Sequence, residues 1–494
     1  MFTDAEASAI APYFTNLDRP VFALVNLPET VKGALFARYS RSPKSLRRLF
    51  LDEFLEDAGG APARTAVGSA RAERLYQRVL SEYGDDSVAQ LGGVHLAVED
   101  ASNLLTKVLE RGRLMAYLEQ STRYIPYTDR RGDLWRYHVP AELDGHPALR
   151  AQFTAAMNAT FETYARWIDP MRAWFERRYP KSPADSDGVY RQAIRAKALD
   201  TLRGLLPAAT QSNVGIYGTG QAYEALLLRM RASPLAEARE TADLMLAELR
   251  KVIPAFLTRV DQPERGQRWS AYFADTRERM AALTARLTAG IEAKAAAEVT
   301  LTDFDPDGEV KVVAAALYAT SSLPDEELLA AARRLSPAER EQVLVAYAGE
   351  RGNRRHKPGR AFERTSYRFD VVTDYGAFRD LQRHRLLTID WQTLGTRHGY
   401  SLPEAVVEAG AEAEWREAMD RSAALHDAIA DAGLAHVAPY AVSMAYRVRF
   451  VMDMNAREAM HVIELRTAPQ GHPAYRRVCQ QMHRLIAERA GHRA

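Results

Sequence analysis

One cysteine in 494 residues, Cys479, leaves this chain without an intrachain disulfide and without the ligands of a thiolate zinc cage. A sulfur nucleophile is equally unsupported, because Cys479 sits between Val478 and Gln480 with no neighbouring histidine or oxyanion motif. No metal site is expected. An excess of one charge is missing too: 66 Lys and Arg stand against 64 Asp and Glu, a formal charge of +2. Nothing in that balance calls for nucleic acid. The longest clean apolar run, residues 312–319, falls far short of the about 20 residues that a membrane helix needs, so no membrane partner is expected. The opening MFTDAEASAI lacks the basic-then-apolar pattern of a targeting peptide, and a cytoplasmic location is the expectation. Short repeats of 20 to 50 residues are absent, which excludes a solenoid or propeller.

What is present suffices for sizeable cores. Apolar residues make up 47% of the chain, and its length suggests two or three domains. Residues 63–80, 87–109 and 235–252 carry apolar side chains at helical spacing. After a run rich in Ala, Arg and Glu at 277–299, the acidic turn segment 302–308 marks a boundary. Beyond it, β-branched and aromatic residues cluster at 310–316 and 365–373, which read as strands, and helices follow at 403–434 and from 456 onward. The expected fold is therefore α/β in the mixed α+β sense: a largely helical half, 1–299, and a half, 300–494, with a small mixed sheet packed by helices.

Two groups of residues carry chemistry. The first runs from Arg111, Gly112 and Arg113 to Glu119, Gln120, Ser121, Thr122, Arg123 and Tyr124. Guanidinium forks match phosphate oxygens and a seryl hydroxyl adds a donor, so the segment can hold a phosphorylated ligand. An arginine-rich helix end facing water accounts for the same residues. The second group is Arg383-His384-Arg385 with Thr393 eight positions on, and the run Asn455-Ala456-Arg457-Glu458-Ala459-Met460-His461-Val462-Ile463-Glu464-Leu465-Arg466. Asn455 suits an N-cap and Glu458 stands where a capping box needs it, which explains those two without any ligand. Arg457, His461 and Arg466 stay unexplained by capping.

Residues 111–124 align without a gap with the signature of the flavin-dependent thymidylate synthases, Arg-His-Arg, seven residues, then Ser, embedded as R-H-R-I-A-S-F-N-E-Q-S-Q-R-Y. Gly112, Ala116 and Leu118 replace the family's His, Ser and Asn. Upstream, Gly84-Asp85-Asp86-Ser87-Val88-Ala89-Gln90 resembles Gly-His-x-Thr/Ser-x-x-Glu with the His and Glu missing. Arg203-Gly204-Leu205-Leu206-Pro207 resembles the Arg-x-x-Leu-Pro whose arginine reaches the nucleotide, and Arg231 is matched to a later arginine with a one-residue shift. In the second half Arg383-His384-Arg385…Thr393 repeats the signature, 455–466 matches the family's Asn-x-Arg…Leu-Arg helix at every spacing, and His356 and Glu363 resemble its His…Phe-Glu. There Trp391 and Gly395 replace the glutamate and the last arginine.

The resemblance thus implies a tandem duplicate with complementary losses. The first half keeps the nucleotide side, Glu119, Gln120, Ser121, Arg123, Arg203 and Arg231. The second keeps the FAD side: Arg383, His384, Arg385, Asn455, Arg457, His461, His356 and Glu363. A helix N-terminus with an adjacent arginine suits the FAD pyrophosphate. Methylation of dUMP would draw on methylenetetrahydrofolate and NADPH, with Arg466 and Arg111 or Arg113 stabilising charge on the uracil ring. The composite site would join the halves, and two chains would form a homodimer equivalent to the family's tetramer. Three readings stay open: dUMP as substrate, another pyrimidine nucleotide, or flavin and nucleotide binding without turnover.

Overall fold

The computed structural model describes residues 2–40, 42–55 and 90–493. The helix expected at 63–80 and the Gly84 to Ala89 part of the family-like segment lie outside them. The chain divides into two compact units: Met1–Ala101, Val108–Gln120 and Ser212–Ile291 make the first, and Ser102–Lys107, Ser121–Gln211 and Glu292–Ala494 the second. This partition differs from a cut at 299/300, because residues 121–211 fold with the C-terminal part. Among the described residues no helix is long and apolar enough to cross a membrane.

In the first unit three short helices, α1 (Asp4–Ile10), α2 (Glu29–Tyr39) and α3 (Leu46–Glu53), precede a sheet of order β1-β5-β2. Its strands are β1 (Gly93–Ser102), β2 (Met115–Glu119) and β5 (Gln211–Thr219), with β2 and β5 antiparallel. Residues 87–109, expected to be helical, instead carry β1 and then the short α4 (Asn103–Leu109). The pair Gly92-Gly93 breaks any helix, and beyond it Val94 and Val98 point inward in the alternation of a strand. The helix end open as a reading for 111–124 is likewise a turn and a strand, β2. Helices α7 (Gly220–Arg231), α8 (Ala236–Leu249) and α9 (Arg268–Leu287) follow β5.

The second unit holds an antiparallel sheet of order β6-β7-β9-β8, from β6 (Val299–Phe304), β7 (Ser366–Asp374), β8 (Thr388–Trp391) and β9 (Arg447–Asn455). A two-residue hairpin, β3 (Arg130–Arg131) and β4 (Leu134–Trp135), lies upstream. Its helices are α5 (Pro147–Arg178), α6 (Asp187–Leu202), α10 (Gly308–Tyr318), α11 (Asp325–Arg334), α12 (Pro337–Ala348), α13 (Tyr375–Leu381), α14 (Glu404–Glu408), α15 (Glu412–Ile429), α16 (Ala456–Arg466) and α17 (Pro473–Leu485). The strand expected at 310–316 is α10. Val310, Val312, Val313 and Ala314 are all buried there, and a short apolar run buried in either geometry carries no period to separate the two. The strand near 365–373 and the helices near 235–252, 403–434 and from 456 are present as expected. Phe369, Val371, Phe450 and Met452 of the sheet are fully buried, as are Val478 and Met482 of α17, which packs against β6 and β7.

The two copies meet inside this unit. Residues 204–209 run antiparallel to 440–445: Met444 N donates to Leu206 O (2.9 Å), Ala208 N to Val442 O (2.8 Å) and Ala445 N to Gly204 O (2.9 Å). Pro207 of one copy thus lies opposite Ser443 of the other. Each copy also contains a nine-residue strand that turns directly into a capped helix, β5–α7 and β9–α16. Thr219 accepts from Ala222 N in the first and Asn455 from Glu458 N in the second.

Candidate active site

The pairing of 204–209 with 440–445 fixes Arg203 at the C-cap of α6, in the interior of the second unit, 4% exposed. Its guanidinium lies 3.4 Å from Asp200 and 3.3 Å from Asp380, while Nη2 is buried without a hydrogen-bond partner. Arg123 reaches the same place from the loop after β2: Nε is 3.1 Å from Asp200, Nη2 donates to Gln470 O (2.9 Å), and Nη1 is 3.5 Å from the Tyr475 hydroxyl. Ser121 Oγ accepts from Arg123 N (3.2 Å) and so shapes that loop. A carboxylate held between buried guanidiniums must ionise. Burial alone would raise the Asp380 pKa, but Arg203, Arg383, Arg466 and Arg379 outweigh it and hold it at about 2.

From the second copy, His384 stands three residues beyond the end of α13, and α16 brings Glu458, His461 and Arg466 against it. His384 Nε2 accepts from Arg466 Nε (2.9 Å), and Nδ1 faces Glu458 at 3.4 Å, so both ring nitrogens are used. That arrangement assigns the tautomer: Nδ1 carries the proton toward the carboxylate and Nε2 is the acceptor. Burial, then Arg466, lowers the His384 pKa and keeps the ring neutral, although Glu458 pulls the other way. Arg466 also donates from Nη2 to Asp380 O and lies over the Tyr475 ring at 5.4 Å. Tyr475 therefore stands between Arg466 and Arg123. Arg383 is 3.9 Å from Asp380, and Arg385 is exposed.

Asn455 is the N-cap that the sequence suggests, but the second half of the capping box is not formed, since the Glu458 side chain turns to His384. Arg457 donates to Pro358 O (2.8 Å) and to Glu363 (3.1 Å). His356 is exposed, with Nδ1 accepting from Gly352 N (3.1 Å) and its carbonyl from Arg351. His461 meets His384 edge to face at 5.6 Å; burial lowers its pKa, and Lys357, Arg354 and Arg466 add to the effect against Glu458. Arg457 beside the N-terminus of α16 is the kind of donor set that a pyrophosphate-bearing cofactor such as FAD takes, although Glu363 already pairs with that guanidinium. Ligand atoms of His384, Glu458 and His461 also lie within 4.8 Å of one another, a spacing that a metal ion could draw together. Arg466 already holds His384 Nε2 there, so a cation would have to enter beside a guanidinium.

The remaining expected residues belong to the first unit. Arg111 and Arg113 stand in the turn before β2, Glu119 is buried opposite Val214, and Gln120 N donates to Asn213 O (2.8 Å). Arg231 pairs with Asp243. These five lie in the first compact unit and the arginine cluster in the second. At Gly112 a Cβ would come within 2.5 Å of the Tyr117 hydroxyl, which donates to Gly112 O, so Tyr117 fills the space that a histidine there would need. Sequence reasoning missed Asp200, Asp380 and Tyr475, and took Glu458 only as a cap. One signal was available: Asp-x-x-Arg occurs at Asp200–Arg203 and again at Asp380–Arg383, the spacing that joins carboxylate and guanidinium along a helix.

The chain is a duplicated α+β fold in which residues from both copies gather arginines around the buried Asp200 and Asp380. Residues 34–255 and 300–490 each match the family model described as thymidylate synthase complementing protein. The chain belongs to that family, the flavin-dependent thymidylate synthases, in tandem-duplicated form. It is 39% identical over 496 residues to a UPF0159 protein of Chlamydia muridarum, covering 99% of this chain and 93% of the relative. A UPF0159 protein of Thermoplasma acidophilum is 30% identical over 92% of each. The flavin-dependent thymidylate synthase of Clostridium tetani is 28% identical over 36% of this chain and 67% of its own length. Among solved structures, the UMP/dUMP methylase PolB from Streptomyces cacaoi bound with 5-Br dUMP gives a TM-score of 0.30 at 18% identity, covering 38% of this chain and 89% of that one.

Proposed function

We propose that this protein methylates dUMP to dTMP at C5, with FAD as cofactor and methylenetetrahydrofolate and NADPH as co-substrates, and that it works as a homodimer. The observation that carries the reading is the meeting of Arg123 and Arg203, from the first copy, with Arg383, His384 and Arg466, from the second, around Asp200 and Asp380. Each copy brings the set that the other lacks.

Arg203 and Arg123 hold the nucleotide phosphate, and the unpartnered Arg203 Nη2 is a donor already desolvated for that purpose. Arg466 is kept in one orientation by His384, the Asp380 carbonyl and the Asp380 carboxylate 3.9 Å from Nη1, and its guanidinium would stabilise the negative charge that develops on the uracil ring. Asn455, Arg457 and His461, with His356 and Glu363 alongside, bind the cofactor. Bound reduced FAD supplies the hydride that, with the one-carbon unit of methylenetetrahydrofolate, replaces the C5 hydrogen of uracil by methyl. Cys479 is buried and its thiol is pushed up to about 12 by burial, consistent with a reaction that uses no thiolate.

The test is the visible absorbance of the purified protein, read for a flavin band, followed by dTMP formation from dUMP with both co-substrates. A flavin band with turnover is the expected result. Flavin bleaching by NADPH without methyl transfer to dUMP, but with transfer to UMP, would move the proposal to another pyrimidine nucleotide. Absence of any flavin after reconstitution would overturn it.

A further inference from the structure

Helix α9, in the first unit, spans twenty residues and has no buried side chain. One face is held: Ser270 Oγ donates to Leu228 O (3.1 Å) and Arg277 to Ala232 O, both at the end of α7. Another face is apolar and bare. Trp269, Tyr272, Phe273, Met280, Leu283 and Leu287 are between 39% and 69% exposed. At 100° per residue these six fall within an arc of about 100°, the width of a stripe that globular proteins bury. Isolated exposed apolar residues need no explanation, but a continuous stripe of this length does.

Its spacing says what covers it. Positions 269, 273, 276, 280, 283 and 287 follow steps of four, three, four, three and four, the alternation of a coiled-coil seam, and only Thr276 among them is polar. A seam with that period takes another helix. At roughly 100 Å² of exposed surface per side chain, pairing two such stripes would bury about 1,200 Å² in total, which reaches the size of a stable interface. In an antiparallel two-fold pairing the seam complements itself: Phe273 lies opposite Leu283, Met280 opposite Thr276 and Leu287 opposite Trp269. Arg286 then comes beside Tyr272, a cation–π contact, and the one like-charge meeting is Arg279 with its own copy.

We infer that the apolar stripe of α9 is a self-association surface, occupied by the same stripe of a second copy of this chain. The inference rests on the proposed function only in that two copies associate, and it needs neither flavin nor nucleotide. It is tested by the sedimentation mass of the intact protein and of Met280→Glu/Leu283→Glu. The native chain should sediment as at least a dimer, and the double variant should dissociate on the order of 100-fold more readily, with an unchanged melting temperature. Both substitutions are on an exposed face; should the pair fail to fold by circular dichroism, Leu287→Glu alone provides the same comparison. Raising salt should not dissociate the native assembly, since the only charge contact across the axis is repulsive. A monomeric native chain, or variants that keep the native mass, would overturn the inference. Either result leaves the turnover assay standing, and failure of turnover leaves the mass unaffected.

Discussion

The strand-to-helix turn is built twice in this chain, and the two versions have opposite fates. In β5–α7, the Phe256 ring sits 2.7 Å from where a Cβ at Gly220 would be, covering the first turn of the helix. Tyr223 is fully buried and donates to Val94 O and Ile216 O, and Glu224 makes a buried ion pair with Arg259 at 2.7 Å. In β9–α16 the positions equivalent to Gly220, Tyr223 and Glu224 are Ala456, Ala459 and Met460, and it is their neighbours Arg457, Glu458 and His461 that carry polar chemistry, Arg457 toward the 358–363 loop and Glu458 and His461 toward His384. The first copy closes the start of this helix with aromatic and ion-pair packing. The second surrounds it with buried and half-buried polar groups, Arg457 on Glu363 and Glu458 on His384, which is the kind of lining that the proposed cofactor site needs.

That contrast can be broken most directly by deleting a buried carboxylate from each copy. Glu224→Ala removes the carboxylate of the buried pair with Arg259 and should cost about 3 to 5 kcal/mol in urea denaturation, whereas Asp380→Ala should cost less, because Asp200 stays beside Arg203 and His384 beside Arg466. Their functional effects should separate. Glu224→Ala, studied where it is folded, should keep flavin and nucleotide binding, whereas Asp380→Ala should lose nucleotide binding. Equal loss of function in both would mean that the first copy still contributes a ligand site.

Next in size is Arg203→Ala. Losing one charge-assisted contact to phosphate costs about 1.5 to 3 kcal/mol, or roughly 10- to 150-fold in dUMP affinity by calorimetry. Arg231→Ala, the corresponding choice in the first unit, removes only a half-exposed pair with Asp243 and should leave dUMP affinity within about twofold.

Acid should distinguish the units as well. Asp380 is held at about 2 in the fold against about 3.9 in an unfolded chain. Its folded value is the lower one, so its stabilisation is complete above about pH 5 and is lost as pH falls toward 2, with a size of about 2 to 3 kcal/mol. Urea midpoints at pH 5 and pH 3 should therefore converge partly in Asp380→Asn, and a slope unchanged by that substitution would count against the buried arginine cage.

Much of this was legible, and the failures have a common cause. The run 455–466 forms the capped helix that its spacing suggests, and its Arg466 and Glu458 meet His384 from the Arg383-His384-Arg385 triplet, because a motif with fixed spacing on one helix survives as geometry. The antiparallel meeting of 204–209 with 440–445 was not legible, because the pairing is between copies far apart in sequence and leaves no local pattern. It is also why residues 121–211 leave the first half. The resemblance groups Arg111, Arg113, Glu119, Gln120 and Arg231 with Ser121, Arg123 and Arg203, and no local pattern announces that the chain passes from one compact unit to the other between Gln120 and Ser121. The valine run of α10 went astray for a local reason, since an apolar segment buried on most sides shows no period.

The smallest effect gives the sharpest comparison, because it changes one equivalent atom pair in each copy. Thr219 and Asn455 both cap the helix that follows their strand, accepting from Ala222 N and Glu458 N at 3.3 Å and 2.9 Å. Replacing either by alanine removes the partner of one helix N–H and should cost about 1 kcal/mol of stability, by chemical denaturation. If capping were all that Asn455 does, the two variants would be indistinguishable in every other respect. With a cofactor at the start of α16, Asn455→Ala should in addition lower flavin occupancy severalfold, because the first turn loses the residue that fixes its N–H groups toward the anion. Thr219→Ala should not, since Phe256 closes that turn to any ligand. Absorbance ratios at matched stability would decide it, and equal flavin content in the two variants would confine Asn455 to its capping role.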